Sequence, residues 1–355
     1  MRVGIYCTNN TVYPVPTTNL YANMTVAGNL ADKLTELGHE VYFFAPKGTI
    51  TKANLVTFDM PPYSDESIYS KYPHPGSSYE YENIMLAKAL NYCDEHDVEI
   101  FHSHMRPFSV LSHAAHANIP IVVTIHDPII DDAYKILPQY NEFDNVHLIS
   151  LSFAQRKPVS DARWIANVYN GIDVDFWQPS IKQDNEYLLY VGRIMPNKGT
   201  DIAVKIANEA NLPLKIIGGF YDEDRDYFTS QIEPYLNDNI EYLGTKTPVE
   251  LLPLYQNALA FLMPIRWEEP FGLVMIEAMS CGTPVIASNK GSVPEIVTKK
   301  SGYIVDDVTD YADFVRGVNQ VSNINRQDVR KRVLDNFTLQ KNAESYLEVY
   351  KSLVE

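Results

Sequence analysis

Short apolar runs alternate with amphipathic stretches along the whole chain. Residues 20–37 have helical spacing, because Leu30, Leu34 and Leu37 share one face and Gly38 follows the last of them. In the first half, the pattern predicts strands over 3–7, 40–45, 98–101 and 119–125 and helices over 20–37, 84–96 and 109–118. Such alternation is typical of a parallel sheet covered by helices on both faces.

The same pattern starts again after a polar stretch at residues 173–185. It predicts strands over 186–192, 214–218, 241–244, 258–264, 284–287 and 302–305 and helices over 200–211, 248–257 and 271–279. We therefore expect an α/β protein with two Rossmann-like, doubly wound domains, 1–175 and 176–339. Ligands of such sheets bind at the carboxyl ends of the strands, so we expect the chemistry in the loops there.

The composition agrees with two folded domains and disfavours some functions. The chain has 355 residues, more than the roughly 250–300 at which a single core stops growing. Its net charge of −16 repels phosphate backbones, so a nucleic acid partner is not expected. Cys7, Cys93 and Cys281 form no CxxC pair, and no signal peptide or membrane span is recognisable, which predicts a cytoplasmic protein.

The densest cluster of candidate residues lies at 266–285. A predicted strand ends before it, Gly272 allows a close approach of the backbone, and a helix follows whose first amides suit a phosphate. Glu269 precedes this helix and Glu277 lies inside it, and carboxylates are good acceptors for sugar hydroxyls. The alternative interpretation is an amphipathic core helix with two solvated glutamates.

A second cluster follows the strand that ends at Gly192. Arg193 can place its guanidinium on phosphate oxygens, and Lys198 can add a point charge. An isolated pair of cations with this spacing is weak evidence, and a solvated surface is the alternative. Their position at a strand end, before a helix, favours a binding role.

Together the two clusters resemble the retaining glycosyltransferases of family 4, which have the GT-B fold. The resemblance is carried by a Gly-Arg-x4-Lys-Gly turn and two glutamates, formed by Gly192, Arg193, Lys198, Gly199, Glu269 and Glu277. The segments 169–173 and 291–295 also resemble the family. It implies two domains facing across a cleft, a last helix (340–355) that returns to the first domain, and no metal or other cofactor. It also implies a nucleotide diphosphate sugar as donor, UDP- or GDP-linked, and retention of the anomeric configuration.

The resemblance also implies roles for individual residues. Arg193 and Lys198 would hold the donor diphosphate, and Glu277 would accept from the ribose hydroxyls. Glu269 would contact the transferred sugar together with the backbone of three residues that follow it: Phe271, Gly272 and Leu273. Gly219 and Thr245 would border the nucleotide.

The first domain has histidines at two predicted strand ends. His102 and His104 point to the same side of one strand, but no third metal ligand is evident, so no metal site is predicted. The resemblance places His126, at the end of the next strand, beside the transferred sugar. The alternative for His126 is a hydrogen-bonded histidine packed under a loop.

One loop departs from the family pattern. The family has a glycine pair after the first strand, and residues 12–23 contain none. Either Thr17, Thr18 and Asn19 contact the donor phosphates in its place, or this loop serves the acceptor. The acceptor, a carbohydrate, a lipid-linked compound or a small molecule, is expected at the Pro- and Tyr-rich loops 13–21 and 60–81, which suit a homodimer contact equally.

Two other functions stay open from the sequence alone. A nucleotide-sugar epimerase with the GT-B fold would share the architecture, and a non-catalytic nucleotide-sugar-binding subunit would explain the missing glycine pair.

The acidic run 222–226 contains an Asp-x-Asp spacing, which we interpret as a solvated loop. GxGxxG, a phosphate loop and Gly-x-Ser-x-Gly are all absent, so a dehydrogenase, a nucleoside triphosphatase and a serine hydrolase find no support.

Overall fold

A computed structural model describes the chain except residues 17–20, 75, 106–109, 111–112, 114–116, 130–131, 182–185 and 355. The chain divides into two compact units. The N-terminal unit comprises Met1–Asn170 with Leu339–Glu355, and the C-terminal unit comprises Gly171–Thr338. The sequence prediction set these two boundaries at 175/176 and 339/340.

The N-terminal unit contains a parallel sheet of seven strands in the order β3-β2-β1-β4-β5-β6-β7. The strands are β1 (Arg2–Tyr6), β2 (Glu40–Phe44), β3 (Asn54–Val56), β4 (Ile100–Ser103), β5 (Ile121–Thr124), β6 (Val146–Ser150) and β7 (Trp164–Asn167). Because β1, β4 and β5 are central and parallel, the residues that follow them meet at one edge of the sheet.

Four α-helices of this unit are described: α1 (Ala22–Glu36), α2 (Glu66–Tyr69), α3 (Ser77–Glu95) and α11 (Leu339–Val354). Two 3-10 helices, Asp132–Glu142 and Ala154–Val159, complete them. Helix α11 packs on the same core as α1 and β1, and its Tyr346 and Tyr350 are completely buried there. Tyr350 Oη lies 2.6 Å from His102 Nδ1, and Tyr346 Oη lies 3.0 Å from Thr124 Oγ1. The last helix is therefore fixed to β4 and β5 by buried polar contacts as well as by apolar packing.

The C-terminal unit repeats the plan with six parallel strands in the order β10-β9-β8-β11-β12-β13. The strands are β8 (Tyr187–Val191), β9 (Leu214–Ile217), β10 (Ile240–Tyr242), β11 (Ala258–Met263), β12 (Val285–Ser288) and β13 (Gly302–Val305). The helices are α4 (Thr200–Ala210), α5 (Arg225–Gln231), α6 (Pro248–Asn257), α7 (Leu273–Ser280), α8 (Val293–Ile296), α9 (Tyr311–Val321) and α10 (Arg326–Asn336).

The α/β architecture predicted from the sequence is confirmed, and the structure adds elements that the prediction lacked. Strands β3, β6 and β7 and helices α2, α5, α8, α9 and α10 were not predicted, and α3 begins at Ser77, earlier than the predicted start at 84. The predicted helix 109–118 lies mostly outside the described residues. Within the described residues, no helix has the length and apolar character needed to cross a membrane.

Candidate active site

The loops that leave β8, β9 and β10 are tied together by their backbones. Ile194 N donates to Gly219 O over 2.9 Å, and Gly218 N donates to Gly244 O over 3.0 Å. Gly218 has a φ of 151°, and a Cβ there would lie 1.8 Å from Gly192 O, so only glycine fits. The three loops are therefore packed backbone against backbone at this edge of the sheet.

Arg193 projects from the loop after β8 and is held by an acidic pair. Its Nη2 donates to Glu223 Oε1 and to Asp224 Oδ2, both over 2.8 Å. The guanidinium lies over the ring of Tyr221, 4.1 Å from its centroid. Burial alone would lower the pKa of Arg193, but the hydrogen bonds to Asp224 and Glu223 raise it, so the side chain is a permanent cation.

Lys198 lies at the other end of the same loop and contacts the second cluster directly. Its Nζ donates to Glu269 Oε2 over 2.6 Å and lies 4.0 Å from the centroid of the Trp267 ring. Trp267 Nε1 also donates to Glu269 Oε2, over 2.9 Å. The structure thus brings together Lys198 and Glu269, which are far apart in the sequence.

A second ion pair fastens the two loops to each other. Arg266 Nη1 and Nη2 donate to the two carboxylate oxygens of Asp201 over 2.8 and 2.7 Å, and Arg266 N donates to Asn197 O over 2.8 Å. Gly199, with a φ of 72°, lies against Pro264, where a Cβ would be 1.9 Å from the carbonyl oxygen. This bidentate pairing fixes the spacing between Lys198 and the start of α7.

Helix α7 begins after Gly272, whose φ of 85° is left-handed. Phe271 is buried, with its ring 5.8 Å from that of Phe337, and its carbonyl accepts from Ser292 Oγ over 2.7 Å. The first amides of α7, from Leu273 onward, carry the partial positive charge of a helix N-terminus. These contacts fix the helix start that the sequence predicted as a phosphate site.

The segment 291–295 supports the loop before α7. Gly291 has a φ of 52°, and a Cβ there would lie 2.2 Å from Glu269 O and 2.4 Å from Glu269 N. Its amide donates to Glu268 Oε2 over 2.6 Å, and Ser292 N donates to Glu269 O over 2.9 Å. The backbone of Glu269 is therefore positioned by close contact with Gly291 and Ser292.

Glu277 lies within α7 and is partly buried. Its Oε2 accepts from the hydroxyl of Tyr255, a completely buried residue, over 3.1 Å. Burial raises the pKa of Glu277 to about 7, although the hydrogen bond from Tyr255 acts in the opposite direction. The side chain thus changes its charge near neutral pH.

Gly219 and Thr245 are neighbours, as their predicted shared role requires. A Cβ on Gly219 would lie 3.1 Å from Thr245 Cγ2. Both follow strands that end at the same edge of the sheet as Arg193. Their contact with a nucleotide stays a prediction.

His126 belongs to the N-terminal unit, where it follows β5. Its Nε2 lies 2.8 Å from Nδ1 of His104, whose ring centroid is 4.1 Å from that of His102. Burial lowers the pKa of His126 to about 4 and the pKa of His102 and His104 well below the usual range. The three imidazoles are therefore neutral at pH 7, and the role of His126 in transfer stays a prediction.

Among the described residues, no group of three His, Cys, Asp or Glu side chains is placed to hold a metal ion. The residues Thr17, Thr18 and Asn19, which could replace the glycine pair, lie outside the described part of the chain.

The acidic run 222–226 is exposed, as the sequence predicted, except at Asp224. Asp224 is buried and binds Arg193 together with the exposed Glu223, so these two carboxylates adjoin the candidate site. Trp267 is a further site residue that the sequence analysis missed. Its position two residues before Glu269 was the only available signal.

Two family models match the chain. The model for "Glycosyl transferases group 1" matches residues 171–348, and that for "Glycosyltransferase Family 4" matches residues 25–176. The chain therefore belongs to this group of glycosyltransferases and is an enzyme of the GT-B type, which confirms the resemblance found in the sequence.

Named relatives agree with this assignment. The chain is 24% identical to the N-acetyl-alpha-D-glucosaminyl L-malate synthase of Bacillus anthracis, over 99% of this chain and 96% of that protein. It is 26% identical to YtcC of Bacillus subtilis, over 72% of this chain and 73% of YtcC. Anabaena Alr3699/HepE, solved in complex with UDP-glucose, has the same fold, with a TM-score of 0.70, 17% identity and coverage of 99% of this chain and 100% of that one.

Proposed function

We propose that this glycosyltransferase moves a hexose-type sugar from a UDP- or GDP-linked donor to an acceptor hydroxyl, with retention and without a metal ion. The observation that carries the proposal is the meeting of Lys198, Glu269 and the start of α7 at one sheet edge. Arg193 lies in the same loop as Lys198, between β8 and α4. This arrangement suits a ligand with two negative phosphates and a hydroxyl-rich sugar.

The ion pairs of the site can stay formed when a donor binds. Lys198 has three donor hydrogens and Arg193 has five, so each can bind a phosphate oxygen as well as its present carboxylate. Asp224 and Glu223 hold the guanidinium in place before the ligand arrives. Such preorganised cations stabilise charge that develops during a reaction.

In the proposed reaction, the bond between the sugar C1 and the diphosphate oxygen breaks, and the diphosphate leaves with the electron pair. Arg193, Lys198 and the first amides of α7 stabilise the negative charge on this leaving group. The acceptor oxygen bonds to C1 on the face that the diphosphate leaves, and its proton passes to the departing phosphate. Glu269 accepts hydrogen bonds from the sugar, and Glu277 accepts them from the ribose.

The choice of UDP-glucose as the first donor to test rests on HepE, which shares the fold and was solved with that compound. A thermal-shift screen against UDP-, GDP-, ADP- and dTDP-sugars then extends the choice, since a ligand that binds the folded state raises the melting temperature. The product anomer, determined by proton NMR, tests retention, and chelation with EDTA tests independence from metal.

Substitution of the two cations tests the proposal directly. Lys198→Ala and Arg193→Ala should each lower kcat/KM by on the order of a hundredfold, because each removes one contact with the leaving group. The control is Lys331→Ala, an exposed lysine on α10 that pairs only with Asp335 in the described structure and should keep full activity.

Near wild-type rates in both cation variants would disprove the proposed clamp. Conversion of the donor alone into a second nucleotide-sugar would identify an epimerase. Tight donor binding without transfer to any acceptor of a broad panel would identify a non-catalytic subunit.

A further inference from the structure

Trp267 contacts two charged residues of the candidate site that come from different loops. Its indole Nε1 donates to Glu269 Oε2 over 2.9 Å, and the centroid of its ring lies 4.0 Å from Lys198 Nζ. A cation within about 6 Å of an indole face is attracted by the negative potential of the ring. One side chain therefore binds the carboxylate through its edge and the ammonium through its face.

The chain on either side of Trp267 is held in place. Arg266, which precedes it, pairs with both carboxylate oxygens of Asp201 over 2.8 and 2.7 Å. Glu268, which follows it, accepts from Gly291 N over 2.6 Å. Because both neighbours are fixed and Trp267 itself is half-buried, the indole has a defined position before a ligand binds.

The two oxygens of Glu269 have different surroundings. Oε2 accepts from Lys198 Nζ over 2.6 Å as well as from the indole, so two donors hold it. Oε1 accepts no hydrogen bond within the described part of the chain, and it is not among the buried polar atoms. A carboxylate held at one oxygen presents the other in a fixed direction, where a sugar hydroxyl can donate to it.

Lys198 is restrained in a similar way. An ammonium on a flexible stem of four carbons has many rotamers, and only some of them place it at a phosphate. Here Glu269 binds one side of the ammonium, and the Trp267 ring covers another. The Lys198 side chain is still 22% exposed, so part of it stays accessible to a ligand.

From these contacts we infer that Trp267 is a positioning residue for sugar transfer. Its indole N–H holds Glu269 so that Oε1 receives the hydroxyl of the transferred sugar, and its ring holds Lys198 beside the diphosphate. The inference rests on the proposed function and adds to it a residue that acts through the other two. The alternative is that Trp267 only packs in the loop and stabilises the fold.

Two substitutions separate the edge of the indole from its face. Trp267→Phe removes the N–H and keeps an aromatic face, and it should lower kcat for transfer from UDP-glucose about tenfold or more, because one hydrogen bond to a charged group is lost. UDP carries no sugar, so its dissociation constant should stay within about twofold of the wild-type value. Trp267→Leu also removes the face, and it should weaken UDP binding about threefold as well.

Trp164→Phe is the matched control. Trp164 Nε1 donates to Val159 O over 3.1 Å, and the guanidinium of Arg156 lies 5.8 Å from the centroid of its ring. This tryptophan belongs to β7 in the N-terminal unit. The control variant loses the same kind of hydrogen bond, but it should keep both kcat and the affinity for UDP.

A double-mutant cycle distinguishes positioning from general support of the fold. In a Glu269→Ala background the indole has no carboxylate to hold, so Trp267→Phe should lower kcat less than about twofold there. Two residues that act through one contact are coupled in this way. A tryptophan that only stabilises the fold would cost the same in both backgrounds.

Indole NMR reports the contact without any measurement of activity. The chain has three tryptophans, so the signal of Trp267 is identified as the indole N–H that Trp267→Phe removes. Glu269→Ala should move this signal, because it removes the hydrogen-bond acceptor, and should leave the signal of Trp164 unchanged.

Three results would each overturn the inference: an unchanged kcat in Trp267→Phe, an equal loss in the two backgrounds, or an indole signal that Glu269→Ala does not move. Failure of the proposed function would look different, since the wild-type protein would then neither bind nor use any nucleotide-sugar. The inference would fall with it, even if the indole signal still responded to Glu269→Ala.

Discussion

Glu277 is a carboxylate whose charge depends on pH in the physiological range, because burial raises its pKa to about 7. In the proposed complex Glu277 accepts from the ribose hydroxyls, and the ionised carboxylate is the stronger acceptor because both of its oxygens are free of a proton. Donor affinity should therefore rise as the pH increases through 7, and at pH 6 only about a tenth of the protein carries the competent charge. Calorimetric titration with UDP-glucose should show a dissociation constant about tenfold higher at pH 6 than at pH 8.

Two variants separate Glu277 from other causes of pH dependence. The Glu277→Gln variant should bind UDP-glucose weakly, and its dissociation constant should not change with pH. Tyr255→Phe removes the hydroxyl that lowers the pKa of Glu277, so its midpoint should move to higher pH. The phosphates of a UDP-sugar are diesters and do not titrate in this range. A wild-type affinity that is constant from pH 6 to pH 8 would contradict the assignment of Glu277 to the ribose.

At the scale of residues, the sequence predicted candidate cations and carboxylates at the strand ends but not how they pair in the structure. The spacing of Arg193 and Lys198 after a strand, and of Glu269 before a helix, was sufficient to select them. The contact of Lys198 with Glu269 depends on two adjacent strands, β8 and β11, and no local pattern reports it. The partners of Arg193 were missed because an acidic run resembles a solvated loop.

Elements position the site through close backbone contacts, and Gly291 is the clearest case. Gly291→Ala would place a Cβ against Glu269 N and O. We expect kcat/KM to fall by on the order of a hundredfold, the size of effect that a small misplacement of a catalytic group produces. The free energy of unfolding should also fall by more than the roughly 1–2 kcal/mol that a left-handed alanine costs.

Gly38→Ala is the matched control for Gly291→Ala. Gly38 also has a left-handed φ, of 86°, but no described atom lies within 4 Å of its would-be Cβ. The Gly38→Ala variant should lose only the roughly 1–2 kcal/mol that a left-handed alanine costs, and it should keep its activity. Equal losses of stability in the two variants would show that the contact with Glu269 is unimportant.

The elements predicted most accurately are those whose starts are marked by Pro or Gly in the sequence. Helix α6 and strand β13 were predicted with the observed bounds, since Pro248 and Gly302 mark their starts. All four residues of the edge strand β7 are half-buried, so its sequence shows neither the apolar run of a buried strand nor an apolar–polar alternation. The first turns of α3 are polar and lack the apolar spacing that identifies a helix.

For the whole molecule, the buried histidines predict sensitivity to acid. Burial lowers the pKa of His126 to about 4 and holds the pKa of His102 and His104 well below 6.5. Below pH 6.5 the unfolded chain binds protons that the folded N-terminal unit does not, so stability falls as the pH drops from about 6.5 towards 4. Each such proton costs about 1.4 kcal/mol per pH unit.

Urea denaturation at pH 7 and pH 5 measures this loss. Glu277 acts with the opposite sign, because its raised pKa favours the folded state as the pH falls below 7. This one carboxyl opposes the three imidazoles named above and those of His39 and His147, whose pKa burial also lowers. His126→Asn should reduce the slope of stability against pH, whereas substitution of the exposed His74 should not. Unfolding free energies that are equal at the two pH values would show that the imidazoles do not resist protonation.

Because α11 is made after the entire C-terminal unit, the N-terminal unit is interrupted in the order of synthesis. A ribosome finishes all of Gly171–Thr338 before the two tyrosines that cover β4 and β5 exist. The C-terminal unit can therefore fold first, while the core of the N-terminal unit stays exposed until α11 is synthesised. A chain that ends before residue 339 would therefore be damaged in its N-terminal unit, although all of the missing residues come from its C-terminus.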